Sequence, residues 1–411
     1  MTDERDVSRR RVLQAGAGTA VGGLLSTSTS EAQGKADVHS DIYAELGVET
    51  LINAAGTITT MGGSLMPPEV QAAWQSAARH FVDLLALQER VGQEIAKLLQ
   101  VESALVTTGA AGGILVGTAA ALTWKDPERV GQLPLHPDQG IEVIRQKSHR
   151  ACYDHLVEAC GVRLVDVESR EDLERAINER TALMFSYNVN EEAGQISRTE
   201  WIQVARSRNI PTLLDAAADT PPLERLSEYN RMGFDLVVFS GGKAIRGPQD
   251  AGLLLGRREL IDAAKRNTAP YCSNIGRGMK VSKEDMVAMW AAVKRFVQLD
   301  HDAEWNSWLA RIETIAAAIR DLPTLTTNTI VPPIANAVPH LLIDWDREQI
   351  DVTPAQVGQR LAAGKPPIRT ARVHGTGSAG FLISVFMLEP GEDQIVAQRL
   401  REALTTQADG R

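Results

Sequence analysis

Lys243 lies in the part of this sequence whose residue types are best suited to covalent chemistry. It follows an apolar run, residues 236–239, and belongs to the stretch Ser240-Gly241-Gly242-Lys243. A short apolar run bounded by glycines is typical of a buried strand, and ligands of α/β proteins bind at the carboxyl ends of such strands. A partly desolvated lysine there can form an imine, although a lone lysine after a strand is more often a surface residue.

Asp215 ends a second apolar run, residues 210–214. An unpaired buried carboxylate is costly, so this aspartate needs a partner. A protonated pyridine nitrogen is a suitable one, since Asp is the usual counter-ion of a pyridoxal ring. The alternative is a helix N-cap, a role that Asp favours at strand-to-helix junctions. Together with Lys243, the pattern favours a pyridoxal cofactor.

Small residues between a predicted strand and a predicted helix form the third feature. Residues 104–106 indicate a strand, residues 107–113 are Thr, Gly and Ala, and a helical pattern covers residues 114–122. Such a turn lets backbone N–H groups approach a phosphate at the positive end of a helix dipole. It matches neither a Walker loop nor a GxGxxG fingerprint. A phosphate-binding turn, an Asp and a Lys in this chain order indicate a pyridoxal cofactor more specifically than any one of these features alone.

These motifs resemble fold type I pyridoxal-phosphate enzymes. Within them, the sequence is similar to the selenocysteine synthase-like group, which contains L-seryl-tRNA(Sec) selenium transferase and D-glucosaminate-6-phosphate ammonia-lyase. The stretch FSGGKA–RGPQ, residues 239–249, is the most specific part of the match. The other segments that carry the resemblance are residues 52–57, 108–112, 147–149, 214–217, 233–235 and 275–281.

The resemblance implies roles for individual residues around pyridoxal 5′-phosphate. Lys243 would hold the cofactor covalently and Asp215 would pair with its ring nitrogen. His149 would stack on the ring and join the catalytic residues, whereas from the residues alone a hydrogen-bonded structural histidine is as plausible. The predicted phosphate contacts are Thr108, Gly109, Ala110 and Ser240.

Four further residues are expected at the substrate, and one at a subunit boundary. Asn53 and Thr57 lie in a segment that matches the family. Arg369 and Arg372 stand where the family offers an arginine, and a guanidinium can grip a carboxylate bidentately. Of the two, Arg372 is the preferred ligand of the substrate carboxylate. The alternative is that both arginines are solvated beside a strand and bind no substrate. Arg277 resembles a basic residue that reaches the phosphate of a neighbouring subunit, which implies a homo-oligomer, at least a dimer.

The activity that the resemblance implies is that of a lyase acting on an amino acid or amino sugar acid. Lys243 would remove the Cα proton, a group at Cβ would leave, and the products would be ammonia and a keto acid. A racemase or aldolase uses the same machinery, and a selenium or sulfur transferase would replace the group at Cβ. The tRNA-dependent branch fits less well because its N-terminal tRNA-binding region has no counterpart here. A non-enzymatic ligand-binding relative is opposed by Lys243 and Asp215.

Composition limits the partners. The 411 residues include 43 basic and 52 acidic residues, for a net charge of −9. Nucleic-acid binding requires a basic footprint, so the charge argues against a nucleic-acid partner. No apolar run reaches the length of a transmembrane helix. The three cysteines have neither metal-site spacing nor an even number, so we expect no metal and no disulfide framework.

The N-terminus resembles an export signal. Ser8-Arg9-Arg10-Arg11 matches a twin-arginine motif, residues 15–25 form a weakly apolar stretch, and a small-x-small site allows cleavage after Ala32. The alternative is a short disordered basic tail. Because the twin-arginine pathway moves folded proteins, it suits an enzyme that acquires its cofactor in the cytoplasm. The sequence therefore predicts a periplasmic or otherwise exported protein.

The spacing of apolar runs predicts an α/β fold of the fold type I class, with a mostly parallel sheet in a large domain and a small α+β C-terminal domain. The expected parts are a signal peptide (1–32), an N-terminal arm (33–66), a cofactor-binding large domain (67–300) and a small domain (301–411). Strands are predicted at residues 104–106, 141–144, 163–167, 181–186, 212–214, 236–240, 252–255, 340–343 and 381–385, and helices at 282–322 and 354–363.

Overall fold

The computed structural model of the chain describes residues 42–371 and 380–406. The chain divides into one unit of residues 1–49 and another of residues 50–411. In the first unit the described part contains a short exposed helix, α1 (Ile42–Glu45). The predicted signal peptide lies outside the described residues.

The described part of the second unit contains twelve strands, twelve further α-helices and five short 3-10 helices. The strands are β1 (Ile52–Ala54), β2 (Ser103–Thr108), β3 (Glu142–Gln146), β4 (Arg163–Val167), β5 (Thr181–Tyr187), β6 (Thr212–Asp215), β7 (Leu236–Ser240), β8 (Ala251–Gly256), β9 (Thr326–Ile330), β10 (His340–Asp344), β11 (Ile368–Thr370) and β12 (Phe381–Ser384). The helices are α2 (Pro68–Ala78), α3 (Leu84–Leu99), α4 (Gly109–Thr123), α5 (Asp154–Glu158), α6 (Arg170–Ala176), α7 (Arg198–Ser207), α8 (Arg225–Met232), α9 (Arg258–Arg266), α10 (Lys283–Gln298), α11 (His301–Ala317), α12 (Pro354–Ala362) and α13 (Glu392–Thr405).

The main sheet has seven strands in the order β2-β8-β7-β6-β5-β3-β4. Only β8 runs antiparallel to its neighbours, β2 and β7. The mostly parallel α/β sheet expected from the sequence is thus confirmed. Because β2, β5, β6 and β7 run in one direction, their carboxyl ends meet at the same edge, where β8 begins.

Helix α4 covers the face of this sheet behind that edge. Its residues are apolar on all sides and nearly all buried. Its glycines allow a close approach: a Cβ on Gly113 would lie 2.7 Å from Cγ1 of Val238, and one on Gly117 would lie 3.2 Å from Leu213. The absence of side chains at these positions therefore fixes the start of α4 directly against β7 and β6.

The C-terminal part has a core of its own. Strands β9, β10 and β12 form an antiparallel sheet, and β1 pairs in parallel with β11. The buried residues Ile52 and Ala54 of β1 join a cluster formed by side chains between residues 308 and 404. The first strand of the chain therefore packs with its last third. The boundary expected at residue 300 stays a prediction.

The helical stretch expected at residues 282–322 is in fact two helices, α10 and α11. The chain turns at Leu299 and Asp300, and the Asp300 side chain caps α11 by accepting a hydrogen bond from Ala303 N (2.9 Å). No helix within the described ranges 42–371 and 380–406 is long and apolar enough to cross a membrane.

Candidate active site

The sheet brings Asp215 and the turn that carries Lys243 to one edge. Asp215 is the last residue of β6 and pairs with Tyr187 on one side and Val238 on the other. Strand β7 continues two residues beyond Val238, to Ser240, and Lys243 follows in the turn towards β8. Neighbouring parallel strands thus bring together two residues that are 28 positions apart in the sequence.

Backbone contacts fix the turn around Lys243. Gly241 N donates to Ala251 O (2.8 Å), and Gly247 N donates to Gly241 O (2.8 Å). From the N-terminal segment, the Ser64 hydroxyl donates to Gly242 O (2.9 Å). A Cβ on Gly242 would lie 2.4 Å from Cα of Gln249, so a larger residue would displace the turn.

Asp215 is a buried carboxylate whose charged form is poorly compensated. Its Oδ1 accepts a hydrogen bond from Ala217 N (2.9 Å). Burial raises the pKa of Asp215 to about 6, although the hydrogen bond and the nearby Lys243 lower it; Asp219 acts in the same direction as burial. The next helix, α8, begins only at Arg225, so Asp215 is not the helix N-cap that was the alternative.

The pKa of Lys243 is shifted in the opposite direction to that of Asp215. Burial lowers the pKa of its amine below the ordinary lysine value, and the carboxylates of Asp215 and Asp219 offset part of that effect. A desolvated amine is uncharged more often near neutral pH than a surface lysine, and an uncharged amine is the nucleophilic form. The environment of Lys243 is therefore suited to imine formation.

The small residues predicted to bind phosphate lie at the start of α4. Thr108 and Ser240 pair with Ala251 and Gly252 of β8, so they flank that strand at the same edge. The helix begins at Gly109 rather than at residue 114, because its glycines and alanines are compatible with helix when packed on the sheet. No side chain caps its first turn, which leaves backbone N–H groups and the positive helix end for an anion.

His149 is held inside the protein. Its side chain is fully buried, and its Nδ1 accepts a hydrogen bond from Tyr187 N (3.2 Å). Burial, reinforced by Arg198, lowers the pKa of His149 to about 4, so the imidazole is neutral. Tyr187 is the strand neighbour of Asp215, which places His149 near the site. Its stacking and catalytic roles stay predictions.

Arg277 is exposed in a loop that lies beside α4 of the same chain. A Cβ on the preceding Gly276 would lie 3.0 Å from Cγ1 of Val116, and the Met279 sulfur is 3.8 Å from a Cβ built on Gly112. The loop is therefore near the proposed phosphate turn. Its expected contact with a neighbouring subunit stays a prediction.

The residues expected at the substrate have different surroundings. Asn53 shapes the turn after β1, since its Oδ1 accepts from the N–H groups of Ala55 and Gly56 (both 3.1 Å) and its Nδ2 donates to Gly56 O (3.0 Å). The Thr57 hydroxyl donates to Asn336 Oδ1 (3.3 Å).

The backbone of Asn336 extends this connection to the loop after Asp215, because its N–H donates to Ala218 O (2.7 Å). Arg369 lies on β11 opposite Asn53 and is exposed. Arg372 lies outside the described residues. The four substrate roles stay predictions.

Comparison with known proteins identifies the family. A family model for class-V aminotransferases matches residues 134–271. A D-glucosaminate-6-phosphate ammonia lyase of Salmonella typhimurium is 30% identical over 380 residues, which cover 90% of this chain and 99% of that protein. The chain belongs to the family of this enzyme. A solved structure of a D-glucosaminate-6-phosphate ammonia-lyase has a TM-score of 0.76 at 28% identity and covers 89% of this chain and 99% of that one.

Two further relatives show the range of the family. A 5′-C-glycyluridine monooxygenase-decarboxylase of a Streptomyces species is 28% identical and covers 89% of this chain and 92% of that protein. An L-seryl-tRNA(Sec) selenium transferase of Nitratidesulfovibrio vulgaris is 26% identical, but over 60% of this chain and 55% of that protein. The chain is thus an enzyme of the pyridoxal-phosphate lyase or transferase type, and the resemblance expected from its motifs is confirmed.

The cofactor of this family is pyridoxal 5′-phosphate, and the residues at the sheet edge fit it. A buried carboxylate with a raised pKa suits a cationic ring nitrogen, a desolvated lysine suits the carbonyl, and an uncapped helix start suits the phosphate. In the part of the chain that the structure covers, no cluster of His, Cys, Asp or Glu could hold a metal ion.

Sequence reasoning missed Asp219, Asn188 and Tyr229. These three form a buried polar cluster behind the edge. The sequence offered one indication, a second Asp four positions after Asp215 in the run Asp215-Ala216-Ala217-Ala218-Asp219.

Proposed function

We propose that the chain is an ammonia-lyase that removes a Cα proton and a Cβ substituent from an amino acid or amino sugar acid. The observation that carries the proposal is the buried Asp215 carboxylate at the same sheet edge as the partly buried Lys243, in a chain that matches an ammonia lyase over nearly its full length. The relative's name supports an amino sugar acid as the first substrate class to test.

The bound cofactor supplies an electron sink for the carbanion at Cα. The residues of the chain do the rest. Lys243 is the base for the Cα proton, and its lowered pKa provides the uncharged amine that this step requires. Asp215 would hold a proton on the ring nitrogen, which would keep the ring an electron acceptor. Loss of the Cβ group, followed by hydrolysis, releases ammonia and a keto acid.

The first turn of α4, together with Thr108 and Ser240 on either side of β8, would hold the phosphate of the cofactor. Asn336 links the loop after Asp215 to Thr57 of the N-terminal segment. We infer that this link positions the substrate so that its Cα proton faces Lys243. We infer also that Arg369 or Arg372 binds the substrate carboxylate.

Assembly and location belong to the same proposal. We propose a homo-oligomer, because Arg277 is exposed and resembles a basic residue that reaches the phosphate of a neighbouring subunit in the family. We propose export to the periplasm by the twin-arginine pathway on the order of charge, apolar stretch and cleavage site in residues 1–32.

A single incubation series tests the activity. Purified holoprotein is given D-glucosaminate, its 6-phosphate and small hydroxy amino acids, and ammonia and keto acid are measured together. Equal amounts of the two products support a lyase. Deuterium incorporation at Cα without ammonia indicates a racemase, aldehyde release an aldolase, a product that requires added thiol or selenide a transferase, and oxygen uptake with CO₂ release a decarboxylating monooxygenase. Borohydride reduction followed by peptide mapping must place the cofactor on Lys243.

A further inference from the structure

Arg246 lies three residues after Lys243 and has a backbone conformation that suits glycine better than arginine. Its φ is 58°, in the left-handed region, where the Cβ of an L-residue is crowded. Its N–H donates to Lys243 O (2.9 Å), so the two residues close one tight turn. A strained residue persists where its surroundings hold it in place. The contacts of Arg246 therefore indicate what its conformation achieves.

The Arg246 guanidinium lies between two distant parts of the chain. Its Nε donates to Leu65 O (2.7 Å), and its Nη2 donates to Glu389 Oε1 (3.2 Å). The side chains of Arg246 and Glu389 are 24% and 45% exposed. An ion pair this accessible to water adds little to the free energy of unfolding. Stability alone therefore does not account for a strained arginine at this position.

The turn that carries Lys243 lies at the boundary between two hydrophobic cores. Ile245 is fully buried in the core of the main sheet, whereas Ala244 packs against the core of the C-terminal part. The bond from Arg246 to Glu389 adds a polar connection on the C-terminal side. Because the turn contacts both cores, the direction of the Lys243 side chain depends on how the turn is held between them.

The far end of this connection leads to the expected substrate residues. Glu389 follows the last residue of β12 by five positions. Ala371 forms an antiparallel bridge with β12, and Arg369 lies two residues earlier on β11. Strand β12 and the Arg246–Glu389 pair thus join the segment of Arg369 to the turn of Lys243. In the proposed reaction, the first segment would bind the substrate carboxylate and the second would take the Cα proton.

We propose that Arg246 is a positioning residue for Lys243. The bridge from its guanidinium to Leu65 and Glu389 fixes the turn, and with it the direction of the lysine amine. The inference rests on the proposed role of Lys243. It accounts for an arginine where the backbone conformation favours glycine, because a guanidinium has separate N–H donors for the two acceptors.

Three variants separate the bridge from the backbone strain. Arg246→Gly removes both the strain and the bridge. Glu389→Gln keeps the strain and the bond to Leu65 O but replaces the charged partner by a neutral one. Gln100→Gly is the matched control, because Gln100 has a similar φ (54°) at the exposed end of α3. This position is next to the start of β2, at the opposite edge of the sheet.

Two rates are measured on the folded, cofactor-free full chain, far below the urea transition of each variant. The first is the rate at which added pyridoxal 5′-phosphate is captured on Lys243, trapped with borohydride and mapped by mass spectrometry. The second is the rate at which Lys243 is acetylated without cofactor, with the exposed Lys125 as internal reference. Urea midpoints are measured in parallel.

In Arg246→Gly, capture on Lys243 should slow about tenfold, since an amine that is no longer held in one direction loses the advantage of orientation. Lys243 should be acetylated faster relative to Lys125, because a loosened turn opens more often. The urea midpoint should stay close to that of the parent, because the relief of strain offsets the lost hydrogen bonds. Glu389→Gln should change both rates less, in the same directions, and Gln100→Gly should change neither.

Capture and acetylation rates in Arg246→Gly that equal those of the parent would overturn the proposal, and so would similar changes in Gln100→Gly. A lower urea midpoint with both rates unchanged would show a purely structural role. If Arg246→Gly does not fold, Arg246→Lys, which has one nitrogen for the two acceptors, should slow capture in the same way. The outcome is separable from the proposed function: capture on another lysine would refute the role of Lys243, whereas the acetylation rate still reports whether Arg246 holds the turn.

Discussion

Replacement of Asp215 by Asn should stabilise the cofactor-free protein, and the gain should depend on pH. Burial raises the pKa of Asp215 from an ordinary 3.8 to about 6, with the attraction of Lys243 already included. A raised carboxyl pKa means that the folded state holds the proton more tightly than the unfolded state. The parent therefore loses stability as the pH rises through this window. At about 1.4 kcal/mol per pKa unit, the full cost is about 3 kcal/mol.

The size of the effect at each pH follows from the same two pKa values. At pH 5 about half of the cost is already present, and at pH 8 the full cost of about 3 kcal/mol has been reached. The stability of Asp215→Asn relative to the parent should therefore increase by about 1 kcal/mol between pH 5 and pH 8. Asn can still accept the hydrogen bond from Ala217 N, so the turn itself is retained.

Urea unfolding of the cofactor-free proteins at pH 5, 6.5 and 8 measures this difference. Asp351→Asn is the matched control, because Asp351 is exposed and its charge loses little water on folding. A stability difference between Asp215→Asn and the parent that is the same at all three pH values would refute the reasoning. In the cofactor-loaded form, the more stable variant should be the less active protein. It keeps its cofactor but loses most turnover, because a neutral pyridine is a poorer electron sink.

Two further predictions concern the proposed subunit boundary and the proposed export signal. Arg277→Ala should weaken cofactor retention in equilibrium dialysis more than it lowers the unfolding midpoint, with Lys280→Ala in the same loop as control; unchanged retention, or a fully active monomer, contradicts the subunit-boundary role. Replacing Arg9 and Arg10 by Lys should leave folded, active enzyme in the cytoplasm in cell fractionation, with Arg11→Lys as control, and export that continues unchanged would show that the twin-arginine prediction is wrong.

The central strands of the main sheet could be predicted because they are buried on both faces, which makes their sequences largely apolar. The central strand β7 has the bounds that its apolar run indicated, and so does the partly buried edge strand β4. Strands β1, β9 and β11 were missed for two physical reasons. The first and last of these are three residues long and pair across more than 300 positions, and β9 is a polar, mostly exposed strand without an apolar pattern.

The reactive pair was accessible to sequence reasoning for a related reason. Asp215 and Lys243 both follow apolar strands, and the carboxyl ends of neighbouring parallel strands must meet. The Asp219 cluster was not accessible, since it depends on side chains from a loop, a strand end and the middle of α8. Likewise, the sequence does not reveal that the Asn53 side chain is hydrogen-bonded to the backbone of its own turn. The residues at the end of a strand can be predicted from the local sequence pattern. The hydrogen-bond partners of a side chain on another element can be known only from the packed structure.

The site itself connects cofactor loading with the expected export of a folded protein. In the free chain, burial acts against the charged forms of both Asp215 and Lys243. A ligand with a cationic ring nitrogen would offset the charge of Asp215 and so bind preferentially to the folded state. By mass action, a ligand that binds the folded state stabilises it. The loaded protein is then the most stable folded form, and a pathway that accepts only folded proteins favours loading before export. Cofactor-depleted cells should accordingly export less of this protein than replete cells, whereas failure of the depletion to affect export would show that the site does not limit folding.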